Sequence, residues 1–348
     1  MEKINKRIEY IDALRGFTMI LVVFSHVEVL GIAMPSTVLG QVFQHFRMPL
    51  FFFISGYISQ KRSNINNAQE WFSSVTKKVK IQLLPTLFFG IIFTYCYLHR
   101  DIYELLLHKS KYGYWFTICL LWMFVILYTL TLLTKKCSNR KKVLTLVATS
   151  MFLYALKTIF NNYETLRTLG DILCLHQLLM YFHFFSAGYI AAMYKEHFNR
   201  CLNNQFIIMF AIAVFIVLSY VAINFDDAEW SSGLMRIYRL MSFPLLGYAG
   251  IIIVYNYFRV YEDSFSTSKP LGRILQYIGK RTLDIYMLHY FFLPQLPQLE
   301  LIFSNPQNSV LELSVCIILS LMIVGICLIV SNVLRTSPII ARNLFGAK

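Results

Sequence analysis

Charge is scarce in this chain. Only 14% of its 348 residues are Asp, Glu, Lys or Arg, the acidic ones number 18 against 32 basic, and 57% of the residues are hydrophobic. So little charge cannot cover the surface of an ordinary soluble domain, which excludes the common soluble classes. Cysteine provides no framework either. Cys96, Cys119, Cys137, Cys174, Cys201, Cys316 and Cys327 are scattered, odd in number and mostly inside apolar runs, with no CxxC and no Cys/His ligand spacing. They read as packing residues, and neither a disulfide nor a metal is expected. Period-two alternation is lacking as well, so the apolar stretches do not describe the wall of a β-barrel. Nor is there polar sequence enough for a soluble domain: the last segment, RTSPIIARNLFGAK, is too short to fold alone.

What the chain does have is a succession of apolar runs, each about 20 residues long, the length a helix needs to cross roughly 30 Å of hydrocarbon. Mean hydropathy is +0.56. The breaks between runs predict an all-α, polytopic transmembrane helix bundle with about ten spans: 11–33, 42–60, 82–98, 114–134, 143–160, 172–194, 206–224, 237–258, 282–298 and 309–332. Residues 1–348 are then expected to form one integral membrane domain. The basic start MEKINKR resembles the head of a signal peptide, but the apolar stretch after it is long and interrupted by His26 and Glu28, so an uncleaved first span is the better reading. With both termini cytoplasmic, nearly all loop lysines and arginines fall inside, leaving only Arg100, Lys109, Lys111, Arg167 and Arg236 outside. The net charge of +14 is thereby explained by topology signals and membrane-surface contacts, with no need for nucleic acid.

Ionisable residues inside such spans need a partner or a purpose, because hydrocarbon penalises them by several kcal/mol. The first span, YIDALRGFTMILVVFSHVEVL, carries Asp12, Arg15 and His26. Eleven residues at about 100° each return to within roughly 20° of the starting direction, so Arg15 and His26 share a stripe, about 16 Å apart along the axis. Arg15 alone reads as a snorkelling interfacial residue; His26, past mid-membrane, reads as functional. The second span begins QHFRMPLFFFISGY, with Arg47 at a depth near His26 and Ser55, Gly56 and Tyr57 towards the inside. Gly56 fits close helix packing as well as it fits function. The aromatic run YGYWF at 112–116 is expected as an interfacial belt. MYFHFFSAGY places His183 in mid-membrane with Gly188 beyond it, and YIGKRTLDIYMLHY places Lys280 and Arg281 at a cytoplasmic mouth, Asp284 just inside and His289 deeper. Sorted by depth, Asp12, Arg15, Lys77, Lys80, Lys280, Arg281 and Asp284 form an inner layer, while His26, Arg47, His183 and His289 lie towards the middle and outer half. A cationic mouth leading to a histidine suits a phosphate-bearing donor entering from inside and delivering a reactive group to a buried base.

The ordered set YIDALRG with Arg-x10-His, FRMPLFFFISGY, YWF, YFHFFSAGY and IGKRTLDIYMLH resembles acyltransferase family 3, integral membrane proteins that typically O-acetylate extracytoplasmic carbohydrates. The resemblance spans residues 10 to 290. It implies an acyl-CoA-dependent transferase with acetyl-CoA as donor and no metal, a carbohydrate or glycolipid acceptor, and a multi-pass place in the cell membrane. Arg15 and His26 match the family's essential pair and Arg47 the arginine of its second motif, which makes these three the expected catalytic residues. Arg15, Lys77, Lys80, Lys280 and Arg281 become the expected CoA contacts, with Asp12, Ser55, Tyr57, His183, Asp284 and His289 in support. Where the family tends to carry Arg-x-x-Arg, this chain has Lys77 and Lys80, which keep the charge without the planar fork. Many relatives append a soluble hydrolase-like domain, whereas this chain is expected to act alone or with a separate partner. Acceptor contacts are expected from outer loops such as NFDDAEWSSG at 224–233. The competing class is a polysaccharide or glycolipid transporter, in which buried histidines relay protons; the paired broken helices common in transporters are not visible in matching halves.

Overall fold

In hydrocarbon every backbone N–H and C=O must be satisfied within its own segment, so long apolar runs have little choice but to be helical. The computed structural model describes residues 8–32, 37–224, 232–303 and 309–346, and among these residues it contains helices and no strand. In chain order they are α1 (Glu9–His26), α2 (Val38–Ser59), α3 (Ala68–Lys78), α4 (Leu84–Ile92), α5 (Ile102–Leu107), α6 (Trp115–Leu133), α7 (Asn139–Asn162), α8 (Glu164–Leu173), α9 (Leu175–Met193), α10 (Lys195–Leu202), α11 (Gln205–Asn224), α12 (Ser232–Val260), α13 (Pro270–Lys280), α14 (Thr282–Leu288), α15 (Leu299–Phe303), α16 (Ser309–Leu334) and α17 (Pro338–Leu344). Most of the loop at 224–233, expected on the outer side, lies outside the described residues.

Seven helical stretches among the described residues are long and apolar enough to cross a membrane. The expected spans at 42–60 and 172–194 correspond to α2 and α9, which have the length but carry Arg47 and three histidines, His45, His176 and His183, that lower their hydropathy. Two expected spans have different limits in the structure. The third is helical from Ala68 to Tyr97 rather than from 82, because Asn67 caps α3 by accepting from the Glu70 N–H at 2.8 Å while Glu70 accepts from Asn66 N at 2.8 Å. The ninth was expected as 282–298. Instead Pro270 starts α13 upstream, Arg281 breaks it, and the helix after α14 ends at Phe292, ahead of Pro294 and Pro297.

The chain forms two compact units. The first comprises residues 1–51, 196–285 and 292–328. In it α1 packs on α13 and α12, with Tyr10 and Tyr255 joined through their hydroxyls at 3.1 Å and Phe17 against Phe258 at 5.5 Å between rings. Two glycines set the α1/α13 approach: a Cβ on Gly16 would fall 2.0 Å from the Leu275 carbonyl oxygen, and one on Gly279 would fall 1.9 Å from that of Asp12. The span headed by α1 has 67% of its apolar window buried, against 11% for α7 and α11. Polar groups on α1 therefore face protein, while α7 and α11 offer their sides to lipid.

The second unit comprises residues 52–195, 286–291 and 329–348. Here residues 52–59 of α2 meet α9 by the same device, with Gly56 against the Phe185 carbonyl and Gly188 against that of Phe53, each at 1.9 Å from a Cβ. Gly56 is thus a packing residue. Polar ties hold the other helices: Ser150 to Ser186 at 2.6 Å between α7 and α9, and Trp71 Nε1 to Thr129 Oγ1 at 3.1 Å between α3 and α6. Lys78 Nζ sits 3.3 Å from the Phe124 ring centroid.

The expected aromatic belt at 112–116 is overturned for Tyr114, which is fully buried and donates to the Met287 carbonyl at 3.0 Å. Tyr286 donates to the Gly113 carbonyl at 2.7 Å and accepts from Phe116 N at 3.1 Å. Gly113 has φ +101° and lies against Tyr290, a conformation and a contact that a side chain would not permit.

Lys111, expected in an outer segment, is 2% exposed. Its ammonium donates to the carbonyls of Leu106, His108 and Asp171, at the C-terminal ends of α5 and α8, where a cation also complements the helix dipoles. Lys111→Met is expected to cost about 3 kcal/mol, since charged hydrogen bonds contribute more than neutral ones and three buried acceptors would be orphaned. Chemical or thermal unfolding in detergent measures it; an unchanged midpoint would contradict the assignment.

His108 lies in the same loop, stacked on Tyr112 at 4.2 Å, with Nδ1 accepting from Ser110 N at 3.3 Å. Burial, helped by the neighbouring Lys111 and Arg100 charges, holds its imidazole below the ordinary histidine value. The neutral ring is therefore favoured on folding, so its contribution is complete above the unfolded value of about 6.5 and is lost as pH falls through the folded one. Limited proteolysis within 100–113 is expected to run faster at about pH 5 than at about pH 7.5, and to lose that dependence in His108→Gln. Equal rates in wild type would refute this.

Candidate functional site

The structure divides the expected site residues between the two units. Asp12, Arg15, His26, Arg47, Lys280, Arg281 and Asp284 belong to the first; Ser55, Tyr57, Lys77, Lys80, His183 and His289 belong to the second.

In the first unit, the Gly16/Gly279 contact brings the segments YIDALRG and IGKRT together. Arg15 Nη2 donates to Thr282 Oγ1 at 2.9 Å, and Arg15 Nη1 lies 3.8 Å from Asp12 Oδ1. The Arg15 side chain keeps 26% exposure while Asp12 keeps 5%, so the guanidinium is fixed at its base with part of it still accessible. Arg281 pairs with the buried Asp284 at 3.3 Å, which gives Asp284 a structural partner, and Lys280 is exposed beside it at the end of α13. Two guanidinium groups and an ammonium lie near one helix crossing, each with a carboxylate in reach: Asp12 for Arg15, Asp284 for Arg281 and, electrostatically, Glu9 for Lys280.

His26 is the last residue of α1, half-buried, and α1 is unbroken from Glu9 to His26, so the stripe expected for Arg15 and His26 rests on regular helix geometry. A π-helical turn, Val27–Gly31, begins immediately after it, closed by Ile32 N to Val27 O at 3.0 Å. Such single π-turns concentrate at functional positions. Arg47 is half-buried on α2, one turn before the buried Phe51.

Glu28 and Thr282 were both missed in reading the sequence. Glu28 is completely buried; its Oε1 accepts from Thr37 N at 3.2 Å and from Thr37 Oγ1, while Thr37 Oγ1 accepts from Gly40 N at 2.8 Å. Glu28 therefore braces Thr37, whose hydroxyl caps the first turn of α2. Glu28 also interacts electrostatically with Glu312 and Arg47, so it is a neighbour of an expected catalytic residue. The signal was available: an acidic residue inside an apolar span, two positions after His26. Thr282, the buried acceptor for Arg15, carried no signal of its own.

In the second unit Lys77 and Lys80 are exposed, Lys80 within the π-helical turn Val79–Leu83 that joins α3 to α4. His183 meets Tyr154 edge-on at 5.2 Å and stacks obliquely on Phe184 at 3.9 Å. Lys157, which sequence reasoning passed over, lies above the same Tyr154 at 5.4 Å. His289 is fully buried against Tyr290 at 4.0 Å, and Tyr57 is also buried. No group of three or more His, Cys, Asp or Glu with metal-binding geometry occurs among the described residues.

A family model described as an acyltransferase domain matches residues 8–331. No curated protein and no solved structure matches the chain.

Proposed function

This chain belongs to acyltransferase family 3, and from that membership we propose that it moves an acyl group, acetyl by preference, from acyl-CoA to a hydroxyl of a cell-surface or lipid-linked carbohydrate within the cell membrane. The observation that carries the reading is α1 itself: one unbroken helix with Arg15 tied to Thr282 near its start and His26 on the same stripe at its end.

The chemistry divides along that stripe. Arg15, with Lys280 and Arg281, holds the phosphates of CoA, the guanidinium groups by paired N–H bonds and the ammonium as a point charge. The pantetheine arm carries the thioester towards His26. Neutral His26 removes the proton of the acceptor hydroxyl as its oxygen attacks the thioester carbonyl, the C–S bond breaks, and the CoA thiolate leaves and is protonated. In the two-step form of the same reaction, His26 takes the acyl group first and passes it on. Arg47 stabilises the charge that develops on the carbonyl oxygen, and Glu28, through its electrostatic contact with Arg47 and, by way of Thr37, its hold on the first turn of α2, positions that arginine.

Arg15 is the test of the donor half. Arg15→Ala is expected to raise KM for acetyl-CoA by about tenfold or more, the loss of one charged contact, with a smaller effect on kcat. Because that change also deprives Asp12 of its cation, Thr282→Val serves as a control that removes the tie but leaves the charge, and is expected to raise KM only slightly. An unaltered KM in folded Arg15→Ala would remove Arg15 from the donor site.

A further inference from the structure

Lined by none of these residues, in the first unit, an open cleft of about 460 Å³ lies between the start of α11 and the end of α12. Its walls are of two kinds. Asn203, Gln205, Asn256 and Arg259 supply polar groups, whereas Ile208 and Met209 lead along α11 into its apolar length. Arg259 is held by Asn256, whose Oδ1 accepts from Nε at 3.3 Å and from Nη2 at 2.8 Å. That clamp fixes the plane of the guanidinium and leaves its Nη1 edge for a ligand.

The surroundings say what kind of ligand fits. Phe206, Tyr257 and Tyr261 are exposed on the two helix ends, the aromatic collar expected where a helix leaves hydrocarbon for water. The lysine and arginine distribution assigns this end to the cytoplasmic side, where anionic lipids meet basic pockets between helices. Met209 and Phe210, one turn further along α11, are exposed and apolar, as a lipid-facing wall requires. A soluble anion would use the polar end of the cleft alone and leave the apolar end empty, while a phospholipid fills both.

We propose that this cleft binds an anionic phospholipid, its phosphodiester on Arg259 and its acyl chains along Ile208 and Met209. The site is separate from the residues assigned to acyl transfer and depends only on the chain spanning a membrane.

Native mass spectrometry of the full chain, released from micelles holding equal phosphatidylglycerol and phosphatidylcholine, tests it directly. Wild type is expected to retain phosphatidylglycerol about fivefold over phosphatidylcholine, the scale of one basic contact at a membrane surface. Arg259→Gln is expected to lose that preference, and Arg259→Lys to keep part of it. Asn256→Ala, which leaves the charge but frees its plane, is expected to weaken the preference and serves if Arg259→Gln does not fold. Equal retention of the two lipids by wild type, or an undiminished preference in folded Arg259→Gln or Asn256→Ala, would overturn the proposal. Displacement of phosphatidylglycerol by excess glycerol phosphate would do so too, by assigning the site to a free phosphate.

Discussion

Gly16→Ala and Gly279→Ala are each expected to destabilise the protein by about 3 kcal/mol or more, although alanine is the better helix former by about 1 kcal/mol. The sign follows from what the new methyl would meet. It would fall 2.0 Å from the Leu275 carbonyl oxygen or 1.9 Å from that of Asp12, and backbone atoms cannot rotate away as a side chain can. Helices α1 and α13 would have to separate, and the Arg15 to Thr282 hydrogen bond spans that same junction. Acyl transfer should therefore fall together with stability. Gly325 supplies the contrast, since a Cβ there meets nothing within 4 Å, and Gly325→Ala should be neutral or stabilising by up to about 1 kcal/mol. Thermal unfolding in detergent compares the three; if Gly16→Ala behaves like Gly325→Ala, the close crossing is wrong.

His26→Ala is expected to lower acyl transfer by about 10²- to 10⁴-fold, the usual contribution of a positioned general base, while leaving KM for acyl-CoA and the unfolding midpoint nearly unchanged. Stability should survive because His26 is half-buried at the end of α1, where the adjoining helix is held by fully buried residues such as Val23 and Val27. The split matters. A residue that only supported packing would move the midpoint, and a donor contact would move KM. A folded His26→Ala protein with wild-type turnover would rule out both the base and the acyl-carrier role.

Much of this fold was legible because apolar length and the helical period are local properties. The fourth, fifth and seventh expected spans agree with α6, α7 and α11 to within a few residues at each end. The same locality made the Arg15/His26 stripe readable, since eleven residues of regular helix fix their relative direction. The amphipathic helices escaped: α3 and α13 are half polar, so an apolar-run reading dropped them, although Asn67 with Glu70 and Pro270 were start signals. Tertiary partners were beyond reach for a different reason. Arg15 and Thr282 are separated by 267 positions, and nothing in either stretch names the other. Tyr114 shows the cost of a local rule applied without contacts, because an aromatic at a span end reads as an interfacial anchor until Met287 is found to accept its hydroxyl. Glu28 was readable by the rule that flagged His26; treating it only as a break in an apolar run concealed a buried carboxylate.

The most direct test of the central claim is release of the free CoA thiol from acetyl-CoA by the purified wild-type protein in vesicles without an ion gradient. With a carbohydrate acceptor present to take the acetyl group, the account predicts thiol release matched by transfer of labelled acetyl to its hydroxyls, both suppressed in His26→Ala. If the folded wild-type protein neither binds nor turns over acetyl-CoA or any other short acyl-CoA, the acyl-transfer account of this chain is contradicted.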